Sequence, residues 1–202
     1  MLNLNPYLRA ARPDKANSHE KIARRRRAAH GLVAVVFLTA GVLLSVAQAD
    51  VKVTLHQVTP EGVLDEVGQV AVSESGHGLV FTPNLKGLEP GVHGFHVHEN
   101  PNCDPHEHDG KMMPAGAAGG HYDPEGSKKH GSPWGDGHLG DLPALYVDAE
   151  GNAQLPVLAP RLTQLDQIKG RSLMVHEGGD NYSDHPLPLG GGGGRMACGV
   201  MK

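Results

Sequence analysis

Aromatic residues are scarce in this chain: one Trp, four Tyr and three Phe make up 4% of 202 residues. A core of large stacked rings is therefore excluded, and small aliphatic side chains must fill the interior. Cysteine occurs only twice, at Cys103 and Cys198, too rarely for a disulfide-dense scaffold or a thiolate zinc cluster. The longest mostly apolar run, Leu32 to Val46, has 15 residues, short of the roughly 17–25 that a membrane-spanning helix needs. Internal repeats are absent, which removes solenoids and propellers. Positive charge is outnumbered over most of the chain. Eight of the 18 basic residues and two of the 22 acidic ones precede residue 50, leaving ten against twenty, a net −10. So acidic a domain excludes nucleic acid as a partner and argues against anionic membrane surfaces.

The first 49 residues have a different character. A polar, basic stretch ends in Arg24-Arg25-Arg26-Arg27, the apolar run follows, and Ala47-Gln48-Ala49 precedes Asp50. A basic n-region, a short apolar h-region and an A-x-A site predict a secretory signal peptide over 1–49, cleaved after Ala49. An uncleaved anchor is the alternative. No cysteine lies near the cleavage site to carry a lipid, so no stable membrane partner is expected after cleavage. Residues 50–202 then form one domain of 153 residues in an exported, oxidising setting. There the economical reading of two cysteines is one intramolecular disulfide, with a pair of thiol ligands as the alternative.

Within that domain the patterning is of period two. Val51–Val58, 63–73 and 77–82 read as strands separated by turns at Thr59-Pro60-Glu61-Gly62 and Glu74-Ser75-Gly76. A fourth strand runs from Gly91 through His98. Leu142–Asp148 and Ala153–Leu158 are predicted to pair as a hairpin around Glu150-Gly151-Asn152. Ser172–His176 and Met196–Met201 complete eight strands, an all-β sandwich or barrel. Strand patterning stops between Asn100 and Gly140. A second loop, Glu177 to Arg195, carries the glycine run 190–194. Forty-one residues without a hydrophobic pattern stay folded only if something other than a core holds them, and a metal and a disulfide are on offer.

Histidine supplies the chemistry, with 14 in the chain. In Gly94-Phe95-His96-Val97-His98-Glu99, a strand puts His96 and His98 side by side on one face. With His176 and a fourth imidazole they make a planar nitrogen set suited to Cu(II). In the long loop, His121, His130, His138 and Asp141 offer three imidazoles and a carboxylate, the closed tetrahedral set preferred by structural Zn. One imidazole can serve two metals through its two nitrogens. His121, on the Gly119-Gly120-His121 turn, is best placed to do so. His56, His77 and His185 read as surface or strand residues, His93 as a hydrogen-bonded structural one, and Trp134 as an interface residue or a loop anchor.

Four segments, Gly94–Glu99, Gly119–Pro124, Gly137–Pro143 and Gly194–Val200, resemble copper/zinc superoxide dismutases in sequence and in order. Ala115–Gly120, Leu142–Leu145 and Asp180–Asp184 resemble the bacterial periplasmic branch. The resemblance implies an eight-stranded Greek-key β-sandwich or barrel with a metal-binding loop and an active-site loop. It also implies an oxidoreductase of the periplasm that disproportionates superoxide, its small-molecule substrate, with one Cu and one Zn per subunit. Carried over by position, it makes His96, His98, His121 and His176 copper ligands, and His121, His130, His138 and Asp141 zinc ligands. His121 becomes the bridge and proton carrier, Arg195 the anion-guiding arginine, and Asp180 the carboxylate linking a copper-ligand ring to a zinc-ligand ring. Cys103 and Cys198 match the family's disulfide. The family has monomers and dimers, so a homodimer is among the expected assemblies. A copper or zinc carrier on the same fold is the competing reading. His106-x-His108 departs from the family pattern; a solvated loop is the expectation there, and metal gathering is the alternative.

Overall fold

The computed structural model describes residues 51–202; the predicted leader, 1–49, lies outside the described residues. The architecture is almost wholly antiparallel β. Eleven strands occur in chain order: β1 Val51–Thr59, β2 Gly62–Ser75, β3 Gly78–Leu85, β4 Gly91–His93, β5 Phe95–His98, β6 His106–His108, β7 Lys111–Met113, β8 Leu145–Val147, β9 Val157–Ala159, β10 Arg171–His176 and β11 Arg195–Met201. Seven of them form one curled sheet in the order β5-β10-β11-β1-β2-β3-β9, while β4 pairs with β8 and β6 with β7. Apart from three short 3-10 turns there is no helix among the described residues.

Period-two alternation sorts the large sheet into two faces. Phe95, Val97, Leu173, Val175 and Ala197 point inward and join Val53, Leu55, Val70, Val72 and Phe81 in the main core. Phe81 and Phe95 meet edge to face at 5.9 Å, so two of the few aromatics sit at the centre. The side chains between them point outward: His96 and His98 on β5, Met174 and His176 on β10, Cys198 on β11. A smaller cluster of Val58, Met174 and Cys198 on that outer face packs against Ala115, Ala118 and Cys103 of the long loop. The loop therefore folds back over the sheet, and the Cys103–Cys198 disulfide (Cα–Cα 5.8 Å) pins it there.

Three local expectations are corrected. The predicted eight strands are eleven, because Gly94 divides the fourth into β4 and β5, and because a hairpin occupies part of the long loop. That hairpin, β6–β7, turns at Asp109-Gly110, both with positive φ (50° and 75°). Asp-Gly is a strong hairpin signal, and it was visible in the sequence without any flanking apolar alternation. Leu142–Asp148 and Ala153–Leu158 do not pair as a hairpin. The turn is present, with Asp148 N–H donating to Asn152 O at 2.9 Å, but β8 pairs with β4 and β9 with β3. Pro156, which has no N–H to give, lies where that ladder would continue. The outward turn of β9 lets Ala159 enter the main core instead.

Candidate metal centre

The outer face of β5, β10 and β11 is the floor of the site. His96 stands opposite Met174 and His98 opposite Ser172, so the two histidines of β5 flank β10, whose last residue is His176. Between Val175 and His176 the β10–β11 register slips by one residue. The extra residue, Met196, reverses the alternation, so that Arg195 pairs with His176 and shares the outer face. This bulge delivers the arginine to the histidines. Backbone bonds fix His176 from both sides: its N–H donates to Gly94 O at 2.8 Å, and its carbonyl accepts from His93 Nδ1 at 2.9 Å. His93, also bonded through Nε2 to Glu89 O, is the structural residue expected.

Each ring is turned by a bond on its far nitrogen. His98 Nδ1 donates to Gly119 O at 3.0 Å, and its Nε2 lies 3.3 Å from His176 Nε2. His96 Nε2 donates to Asp180 Oδ2 at 2.9 Å, aiming Nδ1 inward. The loop supplies the roof. His121 makes a backbone bridge to His98, and its ring stacks on His96 at 3.9 Å. Gly140 is required there: a Cβ would fall 2.3 Å from Val97 O, and only a bare backbone lets the loop lie flat on β5. Around Asp141 Oδ1 gather His121 Nδ1 at 2.9 Å, His130 Nδ1 at 3.1 Å and His138 Nδ1 at 3.3 Å. Four ligands about 2.0–2.1 Å from a tetrahedral ion sit roughly 3.3 Å apart, so this spacing fits zinc. Asp180 ties the halves together, since its Oδ1 accepts from His130 Nε2 at 2.7 Å while Oδ2 holds His96.

Two sets of donors thus share one wall. The first is His96, His98, His121 and His176; the second comprises His121, His130 and Asp141, with His96 alongside. His138 joins the second set through Asp141. Four buried nitrogens, His96 Nδ1, His121 Nε2, His130 Nδ1 and His176 Nδ1, have no hydrogen-bond partner among the described residues. Leaving buried polar atoms unpaired costs about 1–3 kcal/mol each. Three of them line the gaps where metals would sit, so the residues present fit a copper and a zinc ion.

Electrostatics keep the rings ready. Burial, reinforced by neighbouring His121, pushes His96 and His98 well below the usual imidazole value, and burial takes His176 down to about 3. Burial also lowers His121, with the Asp141 hydrogen bond opposing it. These rings are neutral at pH 7, with lone pairs to give. Burial pushes His130 down too, but the Asp141 carboxylate 3.1 Å from Nδ1 and the Asp180 hydrogen bond on Nε2 outweigh it and raise it to about 9. For Asp141 burial acts upward, yet the hydrogen bonds from His121 and His138 and the adjacent His130 ring hold it far below the carboxylate range. Arg195, lowered by burial, still carries its charge at neutral pH. It donates to the carbonyls of Ala115 and Gly119, the latter at 2.7 Å.

Every predicted site residue is in this assembly or on its rim. Three contributors were not anticipated. Asp184 accepts the His130 N–H at 2.9 Å, and Arg161 donates to Gly137 O (2.9 Å) and His138 O (3.2 Å), bracing the loop from outside. The Gly119 carbonyl serves His98 and Arg195 at once. Asp184 lies within the Asp180–Asp184 motif, which was its only signal. Trp134 is 69% exposed, with its ring 6.0 Å from that of Tyr182.

Comparison with known proteins agrees with this geometry. The family model for copper/zinc superoxide dismutase matches residues 66–201. The Cu-Zn superoxide dismutase of Haemophilus parainfluenzae is 60% identical over 157 residues, 77% of this chain and 84% of that protein. The Neisseria meningitidis enzyme is 58% identical over 155 residues, covering 76% and 83%. Among solved structures, the Brucella abortus enzyme superposes with a TM-score of 0.75 at 56% identity, over 76% of this chain and all of that one. The monomeric Salmonella enterica enzyme gives 0.70 at 55%, with the same coverage. The chain belongs to the copper/zinc superoxide dismutase family and is an oxidoreductase that disproportionates superoxide, with copper and zinc as its metals.

Proposed function

We propose that His96, His98, His121 and His176 hold the copper, and that His121, His130, His138 and Asp141 hold the zinc, with His121 shared. The carrying observation is the orientation of one ring: His121 Nδ1 lies 2.9 Å from Asp141 Oδ1, while its Nε2 is buried, unpaired, in the other set. The reaction is 2 O2•− + 2 H+ → O2 + H2O2. Bound copper would supply the one-electron reduction and oxidation it needs, which zinc cannot. The chain supplies the rest. Arg195 binds the anion: two of its N–H groups are fixed on the Ala115 and Gly119 carbonyls, and the remaining donors face the substrate. Its charge sits beside neutral imidazoles, so the local field is positive although the domain is acidic. His121 Nε2 is the atom that takes up a proton and releases it to the peroxide product. Asp141 and Asp180 keep the rings from turning during this exchange.

The test pairs metal removal with one substitution. Chelator treatment should abolish dismutation and the visible copper band together, and adding copper back should restore both. Arg195→Ile should lower kcat/KM on the order of tenfold at low ionic strength, with copper and zinc content unchanged. Undiminished turnover in that variant would refute the guiding role. A metal carrier would need neither the shared ring nor the arginine.

We also propose that residues 1–49 are a secretory leader and that the protein works in the periplasm. The basic, apolar and A-x-A pattern, the disulfide and the Gram-negative relatives support this reading. The mass of the protein recovered from the periplasm should correspond to a chain beginning at Asp50.

A further inference from the structure

The hairpin β6–β7 is not used by the reaction, yet it stands at the mouth of the site. Its register pairs His106 with Met113 and His108 with Lys111, which places His106, His108 and Met113 on one face; Glu107 and Met112 share the other. His106, His108 and Met113 line a cavity of about 320 Å³ together with Arg195 and Gly119; Lys111 is not part of that lining. The hairpin is seated rather than loose. A Cβ at Gly116 would fall 2.8 Å from His106 Cβ, and Ala117 N–H donates to Asp104 O at 3.0 Å across its base. The His108 side chain is 69% exposed, so the face is open to ions from solvent.

We propose that His106, His108 and Met113 form an accessory Cu(I) site at this mouth, where the ion is captured before it reaches the histidine cluster. Two imidazoles and a thioether on one face of a hairpin are a soft donor set, and a thioether favours Cu(I) over Zn(II) or Mg(II). Charge points the same way, because the Arg195 guanidinium on the cavity wall repels a monovalent ion half as strongly as a divalent one. The site adjoins its destination. The Gly119 carbonyl accepts from both Arg195 and His98, and Gly119 lines the same cavity as the hairpin, so one peptide group links the cavity wall to the first ring of the cluster.

The test uses holoenzyme with copper and zinc already bound, titrated anaerobically with Cu(I) against a chromogenic Cu(I) chelator. One further equivalent should bind per chain, with a sulfur shell in its copper X-ray absorption spectrum. Met113→Leu should remove that shell and the equivalent, and so should His106→Asn with His108→Asn. Met112→Leu, on the opposite face, should bind like the parent. Zinc-only protein carrying Met113→Leu should also load copper more slowly, to the same final content. Absence of the additional equivalent, its survival in Met113→Leu, its loss in Met112→Leu, or an unaltered loading rate would each overturn the proposal. Dismutation by the loaded enzyme is not the readout, so failure here would leave the assignment of the catalytic cluster standing.

Discussion

The two faces of β5, β10 and β11 share a backbone and little else. Inward they present Phe95, Val97, Leu173, Val175 and Ala197; outward they present His96, His98, Met174, His176, Cys198 and, past the bulge, Arg195. The inner face holds the fold through apolar burial, which is large and undirected. The outer face carries the candidate metal centre and is held by directed contacts to loop groups, His96 to Asp180 at 2.9 Å and His98 to the Gly119 carbonyl at 3.0 Å. Because side chains alternate, each strand can be stiffened from below and equipped from above without the two demands competing for a position. The loops differ from the sheet in the same sense: with little core of their own, they are ordered by Asp141, Asp180, Arg161 and the disulfide.

This contrast can be broken from either side. The largest effect should come from the inner face. Phe95→Ala removes half of the aromatic pair and should cost about 3–5 kcal/mol, read as a lower urea midpoint with metal stoichiometry per folded chain preserved. Replacing both Cys103 and Cys198 by Ser releases a closure spanning 95 residues. That should cost about 4 kcal/mol, and hydrogen exchange should show protection lost over the 100–118 segment before the sheet. On the outer face, Asp180→Asn should weaken metal retention roughly 10–100-fold, measured by competition with a chelator, and should lower the urea midpoint of the metal-free protein below pH 9, where Asp180 helps hold His130 charged.

The smallest effect per step is that of pH on the metal-free protein. His96, His98 and His176 are lowered, so below about 6.5 the unfolded chain takes up protons that the folded one refuses, and stability falls with acid. His130, raised to about 9, contributes stability that is whole below about 6.5 and is lost as pH rises through 9. Each group changes stability by at most about 1.4 kcal/mol per pH unit. The metal-free protein should therefore be most stable near pH 6.5, and a urea midpoint that climbs steadily from pH 5 to 9.5 would contradict this balance.

Much of the centre was legible because alternation and ligand chemistry are local. Phe95-His96-Val97-His98 states its own two faces, and Ser172–His176 does the same. The candidate loop ligands betray themselves by residue type in a stretch with no apolar pattern. Pairing partners were less legible. Leu145 and Val147 look like half of a hairpin until β4, more than fifty residues earlier in the chain, takes them. Arg161 and His93 act on backbone carbonyls far away in sequence, and no spacing rule announces a contact of that kind. The β6–β7 hairpin hid for the opposite reason. Its turn signal was plain, but His-Glu-His and Lys-Met-Met lack the hydrophobic rhythm by which strands are recognised.

The contacts around the centre form a closed circuit: His96 to Asp180, Asp180 to His130, His130 to Asp141, Asp141 to His121, and His121 stacked back on His96. A ring of constraints has no free end, so none of these five groups can drift without pulling the others. Electron exchange is quick where the surroundings need not rearrange as charge comes and goes. With copper bound, such a circuit would keep that rearrangement small through geometry alone, and cutting any one link should loosen the whole cage rather than a single ligand.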